Sequence, residues 1–167
     1  MTAPSRRSRL PFLILLSVLV IVLDRVTKLW VADHIPIGDA LVVIPNIFRI
    51  THVLNSGAAF SLFAESANPN TVRWFLIAFS VIAALLVFAF LVKIGHQFTA
   101  TTVALALILG GAIGNLYDRI RLASVIDFLE VHIFHYHWPD FNCADSAIVV
   151  GGILLLIESL RPTEKTE

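Results

Sequence analysis

Leu10-Pro-Phe-Leu-Ile-Leu-Leu-Ser-Val-Leu-Val-Ile-Val-Leu23 holds one polar side chain, Ser17, and runs through Asp24-Arg-Val-Thr-Lys28 before the apolar register resumes at Leu29-Trp-Val31. About 20 largely apolar residues are what a helix needs to cross the hydrocarbon core of a bilayer. Three more such runs occupy about 72–92, 100–117 and 144–160, with the first at about 10–31. The chain is 57% hydrophobic and 14% charged, with mean hydropathy +0.85, whereas soluble domains are about 45–50% apolar and 25% charged. These features predict one integral-membrane domain over residues 1–167. Its expected fold is membrane all-α, with four transmembrane helices and a small extracytoplasmic β-containing segment after the first.

Zero net charge gives no reason to expect nucleic acid as a partner, and a single cysteine, Cys143, allows no internal disulfide. The basic start, Arg6, Arg7 and Arg9, also fits a secretory signal, but no small-x-small cleavage pattern follows. Four spans return both termini to one side. The basic start, Lys93, Arg161 and Lys165 all fall there, which the excess of Lys and Arg on cytoplasmic loops makes the cytoplasmic side.

The segment at about 32–70, with Pro36, Pro45, Pro69 and short β-branched runs, then faces outward. Asn55-Ser-Gly-Ala-Ala-Phe60 reads as a tight turn back towards the bilayer, and residues 32–60 are expected to act as a mobile flap. The connection from Asp118 to Asn142 reads as an outward loop.

Charges beside such apolar sequence need a reason, because a carboxylate at the centre of a span costs roughly 2.5–3.5 kcal/mol on insertion scales. Asp24 and Lys28 stand at i and i+4, where opposite charges pair. Arg25 points away from them, towards the headgroups. Gly110 and Gly114 form a small-xxx-small pattern for close helix contact. Asn115, Asp118 and Arg119 share one face, either as a polar cap or as donors to a substrate backbone.

Asp127 and Asp145 are too far apart in sequence for a local element to bring them together; only the tertiary fold can. If they meet, like-charge repulsion raises one pKa and the pair shares a proton, the arrangement used by aspartic proteases. The competing readings are a solvated loop residue for Asp127 and a helix N-cap for Asp145. His132, His135 and His137 alternate with aromatic and aliphatic residues. They fit an interfacial aromatic belt better than a metal site. Ser56 with Lys28 is a weaker nucleophile–base option, and Cys143 lacks a base.

Asp24-Arg-Val-Thr-Lys28, Asn55-Ser-Gly-Ala-Ala-Phe60, Gly110-Gly-Ala-Ile-Gly-Asn-Leu-Tyr-Asp-Arg119, Val125-Ile-Asp-Phe128 and Phe141-Asn-Cys-Ala-Asp-Ser146 occur in this order around the four spans. Together they resemble the motifs of the bacterial lipoprotein signal peptidases (signal peptidase II), over nearly the whole chain. The resemblance implies an inner-membrane aspartyl endopeptidase that removes the signal peptide of a diacylglyceryl-modified prolipoprotein, cutting N-terminal to the lipidated cysteine.

It further implies membrane lipids and globomycin-type inhibitors as partners, a monomer, and no cofactor or metal. Matched to the family's motifs, Asp127 and Asp145 are the catalytic pair. Asp24, Lys28, Asn55, Gly57, Gly110, Asn115, Asp118, Arg119, Asn142 and Ala144 are the binding or supporting residues. Arg25, Ser56 and Cys143 depart from the pattern, where the family commonly has Gln, Thr and an aliphatic residue. A small multi-span transporter or membrane-complex subunit is the alternative. Against it, the charges cluster at the outer ends of the spans rather than crossing their middle.

Overall fold

A computed structural model describes residues 8–57, 68–134 and 136–161. Arg6, Arg7, Lys165, His135 and the Ala58–Phe60 part of the proposed turn lie outside the described residues.

Helix α1 (Leu10–His34) has Pro11 in its first turn, where the missing N–H removes no helical bond. Its buried residues, Leu13, Ser17, Asp24, Lys28 and Val31, recur at helical spacing and form one stripe. The other faces present Phe12, Leu15, Leu19 and Leu23 outward, which suits lipid and not water. Strands β1 (Ala40–Ile44) and β2 (Phe48–Asn55) follow as a hairpin. The turn between them has Pro45 with Asn46 at φ 60°, closed by Ile47 N–H donating to Ile44 O at 3.1 Å. Proline followed by a residue at positive φ is the type II turn signature.

Helix α2 (Pro69–Ile94) starts from an Asn68 cap, and α3 (Ala100–Leu122) from a reciprocal Thr99–Thr102 capping box. Strands β3 (Val125–Ile133) and β4 (Tyr136–Phe141) then lead into α4 (Cys143–Ser159).

The four strands form one antiparallel sheet in the order β1-β2-β3-β4. This corrects two expectations. The fold is not all-α with strands only after the first helix, because half the sheet comes from the chain between α3 and α4. That stretch is not a loop either: α3 continues to Leu122, and Val125–Ile133 is a largely buried strand. Its β-branched and aromatic residues suit a pleated, half-buried surface. Ile126 and Phe128 pack with Val31 of α1 and Ile35 just after it, fastening the sheet to the end of that helix.

Among the described residues three helices, α1, α2 from Asn70, and α3, are long and apolar enough to cross a membrane; α4 has 17 residues. The observed architecture is a helical membrane protein with a small antiparallel sheet. Helix α3 is its centre and touches the other three. A Cβ at Gly110 would come within 2.7 Å of Ser17 O and Val20 on α1; one at Gly151 would come within 2.7 Å of Ala104 O on α3. Gly111 sits against Ala144 O of α4 in the same way. The small residues therefore set the interhelical spacing, since an added methyl would displace backbone.

Candidate active site

Lys28 has no solvent exposure, and its ammonium lies 2.8 Å from Asp24 Oδ2 and 2.8 Å from Asp118 Oδ2. Arg25 Nη1 donates to Asp118 Oδ1 at 2.7 Å, while its guanidinium stacks over the Tyr117 ring at 4.6 Å. Two buried carboxylates thus face two cations, and the knot is neutral. Burying charge without such pairing is prohibitive. The expected Asp24–Lys28 pair is present. Arg25 does not turn to the headgroups, and Asp118 pairs across to α1 instead of with its neighbour Arg119.

The remaining oxygen of Asp24, Oδ1, accepts from Ala144 N at 3.0 Å, so the knot also holds the first turn of α4. Gly114 leaves room for it, since a Cβ there would stand 2.7 Å from Asp24 Oδ2.

Two asparagines carry this order to the aspartates. Asn115 Oδ1 accepts from Lys28 Nζ at 3.0 Å, and its Nδ2 donates to Asp145 Oδ1 at 2.8 Å. Asn142 Nδ2 donates to Asp127 Oδ1 at 2.7 Å and reaches Asn115 Oδ1 at 3.2 Å. Asn142 also caps α4: its Oδ1 accepts from Asp145 N at 2.9 Å, and its own N–H donates to Asp145 Oδ2 at 3.2 Å. The cap of α4 is therefore Asn142, with Asp145 at the third helical position closing the box. Asp127 is buried in β3 and not in a solvated loop; its Oδ2 accepts from Asn55 Nδ2 at 2.9 Å. Asn55 is in turn oriented by Gly57 N–H, 2.9 Å from its Oδ1. Every oxygen of both carboxylates thus has a fixed donor. Burial pushes Asp127 up to about 7 and the charge of Asp145 adds to this, against the hydrogen bonds from Asn55 and Asn142 and the charge of Lys28.

Both aspartates line one cleft of about 750 Å³. Its polar end holds Asn55, Asn115, Arg119 and the two aspartates, and its apolar arm runs between Leu76 and Phe79 of α2 and Ile148 and Val149 of α4. Arg119 Nη2 lies 3.5 Å from Gly57 O, while its buried Nε has no hydrogen-bond partner among the described residues. Gly110 is outside this cleft, in the α1–α3 contact. Ala144 supports it from below through Asp24.

A second polar cluster lies on the sheet. Arg49 makes a two-pronged contact with Glu130, its cross-strand partner, through Nε to Oε2 at 2.6 Å and Nη2 to Oε1. His132 Nε2 and His137 Nε2 each lie 2.9 Å from the same Oε1. The Arg49 hydrogen bonds hold Glu130 below the usual carboxylate range. The sequence reading treated these histidines as belt residues. Glu130 and His132 two apart on one strand were the available signal, but His137 joins them only through the His132–His137 register of the hairpin.

The family model for signal peptidase (SPase) II matches residues 16–161. The lipoprotein signal peptidase of Pseudomonas putida is 43% identical over 166 residues, covering 99% of this chain and 95% of the relative. That of Pseudomonas aeruginosa is 43% identical over 163 residues, covering 97% and 95%. A solved structure of a bacterial membrane enzyme superposes with TM-score 0.82 at 33% identity, covering 94% of this chain and 92% of that one.

Proposed function

The chain belongs to the signal peptidase II family and is an aspartic peptidase that removes the signal peptide from a prolipoprotein; from that premise we propose that Asp127 and Asp145 are its catalytic pair. The observation that carries the assignment is Asn142, one side chain and its own N–H bonded to both carboxylates, at 2.7 Å to Asp127 and 3.2 Å to Asp145. Aspartates from a strand and a helix are thereby held towards one cleft. Burial keeps a proton on Asp127 up to about pH 7. The ionised partner takes a proton from water as the water attacks the scissile carbonyl. The protonated partner donates to the carbonyl oxygen, and a proton then passes to the leaving amine. The chemistry needs only the two carboxylates and water.

The unpartnered Nε of Arg119 is aimed to hold a substrate backbone carbonyl beside them. The substrate is a precursor whose cysteine carries diacylglycerol. Its acyl chains lie in the apolar arm between α2 and α4, among membrane lipids, and the cut falls N-terminal to that cysteine. Globomycin-type cyclic peptides would occupy the same cleft. Four spans, in one membrane domain that acts as a monomer, complete the reading. At about 1.5 Å per residue α4 reaches roughly 26 Å against a core of about 30 Å, close enough for Asn142 and Arg161 to anchor its two ends. Arg9, Lys93 and Arg161 then lie on the cytoplasmic face of the inner membrane, with the sheet and the cleft on the outer face.

The test is digestion of a lipidated precursor by the purified protein, with the product's new N-terminus read by mass spectrometry. The lipidated cysteine should become the first residue, and the unlipidated precursor should stay intact. Equal cleavage of both, or of neither, would contradict the substrate assignment.

A further inference from the structure

Glu130, His132 and His137 place three ligating atoms, a carboxylate oxygen and two imidazole nitrogens, within 4.8 Å of one another. Glu130 is buried at the base of the group, while the side chains of His132 and His137 keep 29% and 52% of their surface exposed. A hydrated ion can therefore reach the group from outside.

Glu130 Oε1 accepts from Arg49 Nη2 and is hydrogen-bonded to His132 Nε2, which fills its two lone-pair sites. His137 Nε2 stands 2.9 Å from the same oxygen as an ion-pair contact only. A metal ion would give all three ligand atoms one common partner. One lone pair of Oε1 and one from each Nε2 would go to the metal, each ring carrying its proton on Nδ1. Arg49 would keep Oε2 through Nε at 2.6 Å, which is how outer partners orient a ligating carboxylate. At metal–ligand lengths of about 2.0–2.2 Å, tetrahedral ligand atoms stand roughly 3.4 Å apart. The 2.9 Å nitrogen–oxygen contacts need only open slightly, but the two rings stack 5.2 Å apart at 18° and must tilt for both Nε2 lone pairs to meet one ion, a movement their exposure permits.

We propose that Glu130, His132 and His137 form a binding site for a divalent first-row transition metal of the Zn²⁺ type. Two imidazoles and a carboxylate favour this class over Mg²⁺ or Ca²⁺, which take oxygen ligands. Asp140, whose Oδ2 is 3.9 Å from His137 Nε2, is a further oxygen donor beside the group, and water would complete the shell. The role is to tie β3 to β4. Those strands pair antiparallel, and β4 forms part of the cleft wall through Trp138 and Asp140. This reverses the sequence expectation of a purely interfacial histidine belt. Arg49 opposes the ion electrostatically, so the site is one of moderate affinity.

The experiment titrates tag-free, chelator-stripped full-length protein in detergent with Co²⁺ and then Zn²⁺, following the Co²⁺ ligand-field absorption and the heat of binding. One ion should bind per chain, with Zn²⁺ displacing Co²⁺. His137→Ala and His132→Gln should each weaken binding at least about tenfold. Unchanged elution and thermal midpoint certify the folding of each variant, and His137→Asn replaces the alanine variant if that one aggregates. No saturable binding, or binding that His137→Ala and His137→Asn leave unchanged, would overturn the site. Precursor cleavage does not enter the readout, so failure here leaves the peptidase assignment standing.

Discussion

Replacing Asp127 with Asn should make the protein inactive and, at alkaline pH, more stable. Asp127 is raised from 3.8 to about 7, first by burial and then by the charge of Asp145. A carboxyl raised in the folded state favours folding while protonated. That advantage is full below about pH 4 and is lost as pH climbs through about 7. At 1.36 kcal/mol per pH unit, the parent should lose on the order of 4 kcal/mol across this interval from Asp127 alone.

Asparagine carries no such pH dependence, but its amide nitrogen must face one of the two donors, Asn55 Nδ2 or Asn142 Nδ2. Losing one hydrogen bond and burying a misdirected donor costs about 1–2 kcal/mol. The net gain at pH 8 is therefore about 2–3 kcal/mol, or roughly 5–10 °C in thermal midpoint for a domain of this size. Fluorescence-monitored melting of parent and Asp127→Asn in detergent from pH 4.5 to 8.5 measures it. The variant should start at or slightly below the parent near pH 4.5 and rise above it as pH climbs towards 8.5. Parallel curves would refute the claim that burial of this carboxylate governs the site.

Other perturbations test how the aspartates are held. Asn142→Ala removes the donor to Asp127 and the α4 cap together. It should cost about 2–4 kcal/mol in stability, cap and buried hydrogen bond together, but about a hundredfold in the single-turnover cleavage rate of the folded variant, because misplaced catalytic groups are heavily penalised. Lys28→Met leaves Asp24 and Asp118 with Arg25 alone and should destabilise by about 3–5 kcal/mol. Adding Asp24→Asn restores neutrality, so the double variant should melt above the single one; additive losses would argue against a charge-balanced knot. Gly114→Ala places a methyl 2.7 Å from Asp24 Oδ2 and should lower stability by about 1–3 kcal/mol, measured by the same melts.

The long apolar helices α1, α2 and α3 were legible because an apolar run of membrane length needs no tertiary information, and Asp24–Lys28 because one helical turn sets its geometry. Asp118 was harder. Its partners, Lys28 and Arg25, lie on another helix, and nothing in their spacing distinguishes them from the adjacent Arg119. Strand β3 was missed because Asp127 and Glu130 interrupt its apolar run, and both polar residues are satisfied only by neighbours from other elements. Register irregularities between Leu129 and Val131, and between Ile50 and Val53, further blur the alternation. The meeting of Asp127 and Asp145 is likewise a product of tertiary structure, since the hairpin returns the chain from β3 to the head of α4. Local sequence marked both residues as costly; the motifs in register, not their spacing, paired them.

The central claim is that Asp127 and Asp145 act together on a lipidated precursor. Its most direct test is cleavage of that precursor by Asp127→Asn and Asp145→Asn, each purified from the membrane and assayed by gel mobility and product mass. Both variants should insert, elute and melt as folded proteins, and neither should release a signal peptide. Processing at the parent rate by either variant would show that the chemistry does not need the pair.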